Sequence, residues 1–249
     1  MAYAKGSDQA SSWQVGRAEN KTENRKIAVL GGAGEEGFGL ALRWAIAGHQ
    51  VFVGSRSLDR AAEAAKTMAR TAGHPVRVLG VSNEDAVAQA DVVVVTVPFV
   101  ALIDTLRTVK PKFRSGQVLV NVSVPLETAI GGRATRTVGV WPGSAGELAA
   151  SVVPNTVSVV TAFNNVSAEL LKDPSKPVDC DVLVCSDDEN AKKIVLDLVK
   201  GIAGARGFDA GRLENSRTIE QITALLVGLN IRYKVKSAGL RVTGISHVS

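Results

Sequence analysis

Lys26-Ile-Ala-Val-Leu-Gly-Gly-Ala-Gly-Glu-Glu-Gly37 is the stretch on which the fold of this chain turns. Ile27 to Leu30 is a short apolar run that stops at a glycine cluster, Gly31 to Gly39. An apolar-periodic helix is expected from about Phe38 to Ala47, ending at Gly48-His49, where glycine suits a helix C-cap. Gln50 to Val53 then closes a strand-helix-strand unit of about thirty residues. Within it, Gly32-Ala33-Gly34-Glu35-Glu36-Gly37 fits G-x-G-x-x-G, placed after a strand and before a helix. The three glycines serve different ends. Gly32 allows a tight turn, Gly34 lets backbone reach a pyrophosphate, and Gly37 lets helix and strand approach closely. The helix N-terminus supplies N–H donors and a favourable dipole for phosphates. Glu35 and Glu36 are ill matched to a diphosphate, so their carboxylates are expected to point away from it.

The end of the second strand selects the cofactor. An NAD site usually places an acid there for the ribose 2′-hydroxyl. Here the residues are Val53-Gly54-Ser55-Arg56, without an acid. Arg56 is a fork-shaped donor suited to a 2′-phosphate, Ser55 adds a hydroxyl, and Arg60, one helical turn later, is placed to face the same phosphate. The site therefore reads as one for NADP.

Farther along, Leu58 to Arg70 reads as a helix, Val76 to Leu79 as a third strand and Asn83 to Gln89 as a short helix. Asp91 to Thr96 is β-branched from Val92 onward, as in a strand buried on both faces. Thr96-Val97-Pro98 closes it at the carboxyl edge of the sheet, where cofactors sit in open α/β folds, so these three residues are candidate contacts. A helix over Val100 to Val109 leads to a fifth strand, Val118 to Val122. After Pro125 periodicity is lost until Ser144 and Glu147, a capping-box pair for a helix over Ala145 to Val152. A sixth strand is expected over Val157 to Ala162, then strand Val182 to Cys185, helix Glu189 to Lys200, strand Gly207 to Ala210, and a long helix from Ser216 to Lys236. This alternation predicts an α/β fold: a doubly wound, mostly parallel Rossmann sheet with a smaller C-terminal α/β unit. The divisions expected are a flexible extension over 1–24, the NADP-binding domain over 25–165, and a smaller domain over 166–249.

Composition agrees. The 249 residues are 45% hydrophobic but only 4% aromatic, a balance that suits a parallel sheet covered by helices. The net charge of +5 favours anionic partners. The charges do not form a run with interleaved aromatics, which argues for small phosphorylated molecules over nucleic acid. No apolar run is long enough for a membrane span, and the first 24 residues lack the apolar core of a secretory signal. Cys180 and Cys185, the only cysteines, lie five apart on an expected strand and leave opposite faces of it. They read as buried thiols of a reducing cytoplasm, too few for a metal site. His49, His74 and His247 fall at a helix end, a turn and the C-terminus, none in place for a proton relay.

At this point the chain resembles the coenzyme F420-dependent NADP reductases (F420H2:NADP oxidoreductases). The shared stretches are Lys26 to Gly32 with Gly34 and Gly37, Val53-Gly-Ser-Arg56, Asn83-Glu-Asp85, Thr96-Val-Pro98, Asp181 to Cys185 with Asp187-Asp188, and Asp209-Ala-Gly211. Asn215-Ser-Arg217, Arg232-Tyr-Lys234 and Gly239 to Gly244 complete the pattern. The resemblance implies hydride transfer between the nicotinamide of NADP and the deazaflavin ring of coenzyme F420, in a homodimer. By family position, contacts with NADP fall at Ala33 to Glu36, Ser55, Arg56, Arg60, Pro98, Val122 and Ala168.

One departure bears on the second cofactor. Family members commonly carry His after the sixth strand, where Ala162-Phe163-Asn164-Asn165 places Asn164. Asn donates to a ring oxygen but carries no proton near neutral pH. Asn164, Asn165 and backbone N–H groups near Val97 are the candidates for orienting the second ring. The basic tail (Arg232, Lys234, Lys236, Arg241) reads equally as a site for the anionic side chain of the deazaflavin and as a solvated helix end. Two other functions fit the same residues: an NADPH-dependent reductase of this fold acting on a flavin or a small carbonyl or imine, and a non-enzymatic NADP sensor.

Overall fold

The computed structural model describes residues 23–245. The expected extension over 1–24 lies almost wholly outside them, as does His247. Eight strands form one sheet in the order β3-β2-β1-β4-β5-β6-β7-β8. They are β1 (Lys26–Leu30), β2 (Gln50–Ser55), β3 (Arg77–Ser82), β4 (Val92–Val95), β5 (Val118–Asn121), β6 (Ser158–Thr161), β7 (Asp181–Ser186) and β8 (Arg206–Asp209). All neighbours pair in parallel except β6 and β7, which are antiparallel. The strand order reverses between β1 and β4, the position where open α/β sheets leave a crevice at their carboxyl edge. The last two strands continue the same sheet.

The helices are α1 (Glu35–Ile46), α2 (Leu58–Ala72), α3 (Asn83–Gln89), α4 (Phe99–Val109), α5 (Ala145–Val152), α6 (Ala168–Lys172), α7 (Glu189–Lys200) and α8 (Ser216–Tyr233). Their starts follow from capping: Ser57, Ser82, Ser144 and Asp188 accept from backbone N–H groups in the first turns of α2, α3, α5 and α7. Two apolar layers sandwich the sheet. One includes Leu40 and Trp44 of α1 with Met68 of α2, and the other Leu102 and Leu106 of α4 with Ala145 and Ala149 of α5. All four valines of β4 are buried, as a central parallel strand requires. Cys180 and Cys185 are both buried and both free thiols.

Beyond shifts of a few residues at strand ends, two helix boundaries and one whole helix differ from the sequence reading. Helix α1 begins at Glu35, one turn before the expected Phe38, because Gly34 serves as its N-cap. Helix α8 ends at Tyr233, where Lys234 turns left-handed at φ 54°. Helix α6 has no counterpart in the sequence reading. Five residues do not sustain a helix alone. Arg43 of α1 holds its end instead, donating to the carbonyls of Leu170, Leu171, Asp173 and Lys176 at 2.6–3.0 Å. Gly39 makes the approach possible, since a Cβ there would lie 2.4 Å from Leu171 Cβ.

Candidate active site

The turn after β1 is built by glycines with separate duties. The left-handed residue is Gly31, at φ +83°, not Gly32 as the motif alone suggested. Gly32 is required by proximity instead: a Cβ would stand 2.9 Å from the carbonyl oxygen of Val29. At Gly37 a Cβ would meet Thr96 Oγ1 at 2.5 Å and Gly31 O at 2.7 Å, which is the close helix–strand approach expected of the third glycine. Thr96 is thereby structural, its hydroxyl donating to Leu30 O at 3.0 Å. Gly34 offers α1 no side-chain cap, so the donors of the first turn are left for a ligand.

The two glutamates of the loop behave differently. Glu35 points to α6 and pairs with Lys172 at 2.8 Å. Lys172 first, and Lys236 after it, hold its carboxyl below the usual range. Glu36 has no such partner. Its Oε1 is closed off from solvent without a hydrogen bond, and burial pushes the carboxyl up to about 8. The motif's second acid therefore sits in the first turn of α1 as a neutral group at pH 7.

Three clefts bear on the site, two of them lined in part by residues of this turn. One of about 560 Å³ is lined by Ser55, Arg56, Asn83, Val100, Ala101 and Asp104 among others. Pro98, the N-cap of α4, lies just before its Val100 wall. Arg56 is exposed, and neither its guanidinium nor that of Arg60 has an ion-pair partner among the described residues. Ser55 Oγ accepts from Ser57 N at 3.1 Å, which fixes it at the strand end. Arg60 lines a separate cleft with Ala33 and Phe38, so it attends the glycine turn and not the Arg56 cleft. Asn83, quoted in the sequence only as part of a shared stretch, is buried in the wall of the first cleft with Oδ1 unpartnered. Glycines that leave room, an uncapped helix and two unpaired guanidinium groups fit a phosphorylated dinucleotide.

The third cleft, about 400 Å³, is lined by Glu35, Asn164, Asn165, Ala168, Thr223, Leu226, Asn230, Lys236 and Ala238 among others. Glu35 thus belongs to both the dinucleotide turn and this cavity. Phe163 precedes the asparagines at φ +67°, an uncommon conformation for a bulky residue. It is fully buried and packs edge-on against Trp44 at 5.5 Å, which holds the bend that follows β6. Asn164 Nδ2 donates to the carbonyl of Val122 at 3.0 Å, so that nitrogen is committed and the remaining atom, Oδ1, is an acceptor. The sequence reading expected a donor. Val122 acts here through its carbonyl, its side chain being buried. Asn165 Nδ2 is turned to β7 and donates to Asp181 O at 2.7 Å.

The residues from α8 and the tail were legible only as an apolar stripe and a basic run. Of that run, Lys236 lines the cavity, Arg241 is paired with Asp179 and Asp181, and Arg232 and Lys234 are exposed. His49 lies at the opposite, amino edge of the sheet, where its Nδ1 accepts from Arg25 N. Burial lowers its pKa. Among the described residues no cluster could hold a metal ion, and no helix is long and apolar enough to cross a membrane.

Comparison with known proteins agrees with this geometry. Residues 26–125 match the family model described as NADP oxidoreductase coenzyme F420-dependent. The chain is 46% identical over 222 residues to the F420-dependent NADP reductase of Methanothermobacter thermautotrophicus, covering 88% of this chain and 95% of that one. It is 44% identical over 223 residues to the protein of the same name from Methanocaldococcus jannaschii, covering 88% and 99%. A solved structure from Arthrobacter sp. FB24, given a provisional F420-dependent NADP-reductase name, superposes with a TM-score of 0.76 at 24% identity, over 88% of this chain and all of that one.

Proposed function

Because this chain belongs to the family of F420-dependent NADP reductases, we propose that it transfers a hydride between NADP(H) and the deazaflavin coenzyme F420. One observation carries the reading beyond family membership. Glu35, the first residue of the dinucleotide-binding helix, is also a wall of the cavity that holds Asn164 and Ala168, so two ligands would meet at this edge. When bound, the two coenzymes supply the redox chemistry, and the protein supplies distance, orientation and exclusion of water.

In this reading Gly32 to Gly37 and the first turn of α1 hold the diphosphate. Ser55 and Arg56 hold the 2′-phosphate from the strand end, and Arg60 closes on the turn from α2. Thr96 and Val97 pack against the glycine turn at Gly31, and Pro98 starts α4 beside the Arg56 cleft. Asn164 is a wall of the second ring's cleft, held there by Val122 O, and Asn165 supports it through β7. No side chain is required as a proton relay. Residues 25–165 form the NADP-binding part, and 166–249 complete the second cleft. We also read the protein as a cytoplasmic homodimer. The free thiols support the compartment, and the exposed Leu225, Ile231 and Tyr233 on α8 support the dimer.

Protein mixed with NADPH and oxidised deazaflavin should bleach the deazaflavin absorbance. Absence of turnover there, with turnover on FMN or FAD, would overturn the reading in favour of a flavin reductase of the same fold.

A further inference from the structure

The segment after α8 has no regular structure, yet it is tied at every few residues. Val235 N and Ala238 N donate to Asn230 O and Oδ1, at 3.1 and 2.9 Å. Ser167 Oγ, at the head of α6, donates to Lys236 O at 2.8 Å. Gly239 passes so near β7 that a Cβ would lie 3.3 Å from Cys180 Sγ. Asp181 then gathers the rest. Its N–H donates to Leu240 O at 2.8 Å, and its carboxylate accepts from Val242 N and from Arg241 Nη1, both at 2.6 Å. The same carboxylate, fully buried, takes the fork of Arg206 at 2.7 and 2.6 Å. Its own carbonyl accepts from Asn165 Nδ2. Asn165, Lys236 and Ala238 all line the 400 Å³ cavity.

We propose that Asp181 and Arg241 are positioning residues for the second substrate's site, pinning residues 236–242 as a strap that forms the outer wall of the cavity opposite Asn164. This inference rests on the reading of that cavity as the deazaflavin cleft. A buried carboxylate met by two guanidinium groups and a backbone N–H has one low-energy arrangement, so the strap has one place to lie. Asp181 touches no substrate. It fixes two sides of one pocket at once, Asn165 through its carbonyl and the strap through its carboxylate.

Arg241 is the partner to remove. Its side chain is 37% exposed, and Asp181 stays bidentately paired with Arg206 without it, so β7 and β8 keep their junction. In R241A, hydrogen exchange at residues 236–242 should accelerate. The Kd of oxidised deazaflavin, read by fluorescence titration, should rise about tenfold or more, because a wall displaced by an ångström forfeits its contacts. The NADPH Kd should change by no more than about twofold, since the strap reaches that site only through Lys236 beside the exposed Glu35, whose direct ion pair is with Lys172. The KM for deazaflavin should rise more than kcat falls, and R241K, which returns a cation to Asp181, should recover most of the affinity. Unchanged deazaflavin binding in a variant whose strap has been released overturns the proposal alone. So do equal losses for both cofactors, which mark general destabilisation. Wild-type protein that binds NADPH but no deazaflavin overturns the functional reading and this inference together.

Discussion

Raising pH should weaken the binding of NADPH through a single side chain, Glu36. Its Oε1 is buried in the first turn of α1 without a hydrogen-bond partner, and burial alone pushes the carboxyl up to about 8. Of the charged groups on packed elements, Lys172 and Glu169 of α6, Asp173 at its end, and Arg60, Glu63 and Lys66 of α2, none contributes to that shift. Glu35 next to it is paired with Lys172. Below 8 the acid is neutral and the diphosphate meets only N–H donors and the helix dipole. Above 8 it becomes an anion beside a dianion. At a separation of roughly 8 Å and an effective dielectric of about 20, each like charge costs about 2 kcal/mol. The ionised form then binds negligibly, and the apparent Kd scales as one plus the ratio of ionised to neutral Glu36. Between pH 7 and 9 that is close to tenfold, or about 1.4 kcal/mol. Fluorescence titration of NADPH at intervals over this range measures it directly, the 2′-phosphate having completed its own titration near pH 6. E36Q, neutral throughout, should bind as tightly as wild type at pH 7 and show no alkaline loss. A flat wild-type profile, or an alkaline loss that persists in E36Q, would refute the reasoning.

Arg56→Ala should cost NADPH binding about 1.5–3 kcal/mol, the usual worth of a charge-assisted hydrogen bond, and leave NADH binding nearly unchanged. Paired titrations decide it, and equal losses would contradict the 2′-phosphate assignment. Gly37→Ala forces a methyl against Thr96 Oγ1 and Gly31 O, so we expect a stability loss of about 1–3 kcal/mol and a larger loss of NADPH affinity, read by thermal melts with and without cofactor. Glu220 accepts from Ala145 N and Gly146 N at 2.9 and 3.0 Å, but burial outweighs both donors and raises its carboxyl to about 7. A folded pKa above the unfolded value means that stability is greatest below about 4.5 and declines as pH climbs to about 7, by about 3 kcal/mol in total. Denaturant melts across that window should show the slope in wild type and not in E220Q.

What the sequence determined by itself is local or carried by composition. Ile27 to Leu30 and Val92 to Val95 announce buried parallel strands because short, wholly apolar runs bounded by glycine or proline have few other uses. The spacing of Gly32, Gly34 and Gly37 announces a phosphate turn because only glycine leaves room for backbone at those distances. The missing acid after Gly54 and the presence of Ser55 and Arg56 named NADP, since a 2′-phosphate needs donors where a hydroxyl needs an acceptor. Resemblance along most of the chain supplied the second coenzyme.

Tertiary structure decided everything that depends on partners distant in sequence. Helix α6 exists because Arg43 caps it from 127 to 133 residues away and Gly39 admits it, a relation no local periodicity records. The turn's positive φ belongs to Gly31, since that is where β1 must bend away from Val97 and Thr96. Asn164 became an acceptor once Val122 took its nitrogen. The two loop glutamates look alike in sequence and separate only in space, Glu35 ionised against Lys172 and Glu36 neutral in burial. Protonation state and donor polarity are properties of surroundings, and surroundings are assembled only when the sheet brings β1, β5, β6 and the C-terminal strap to one edge.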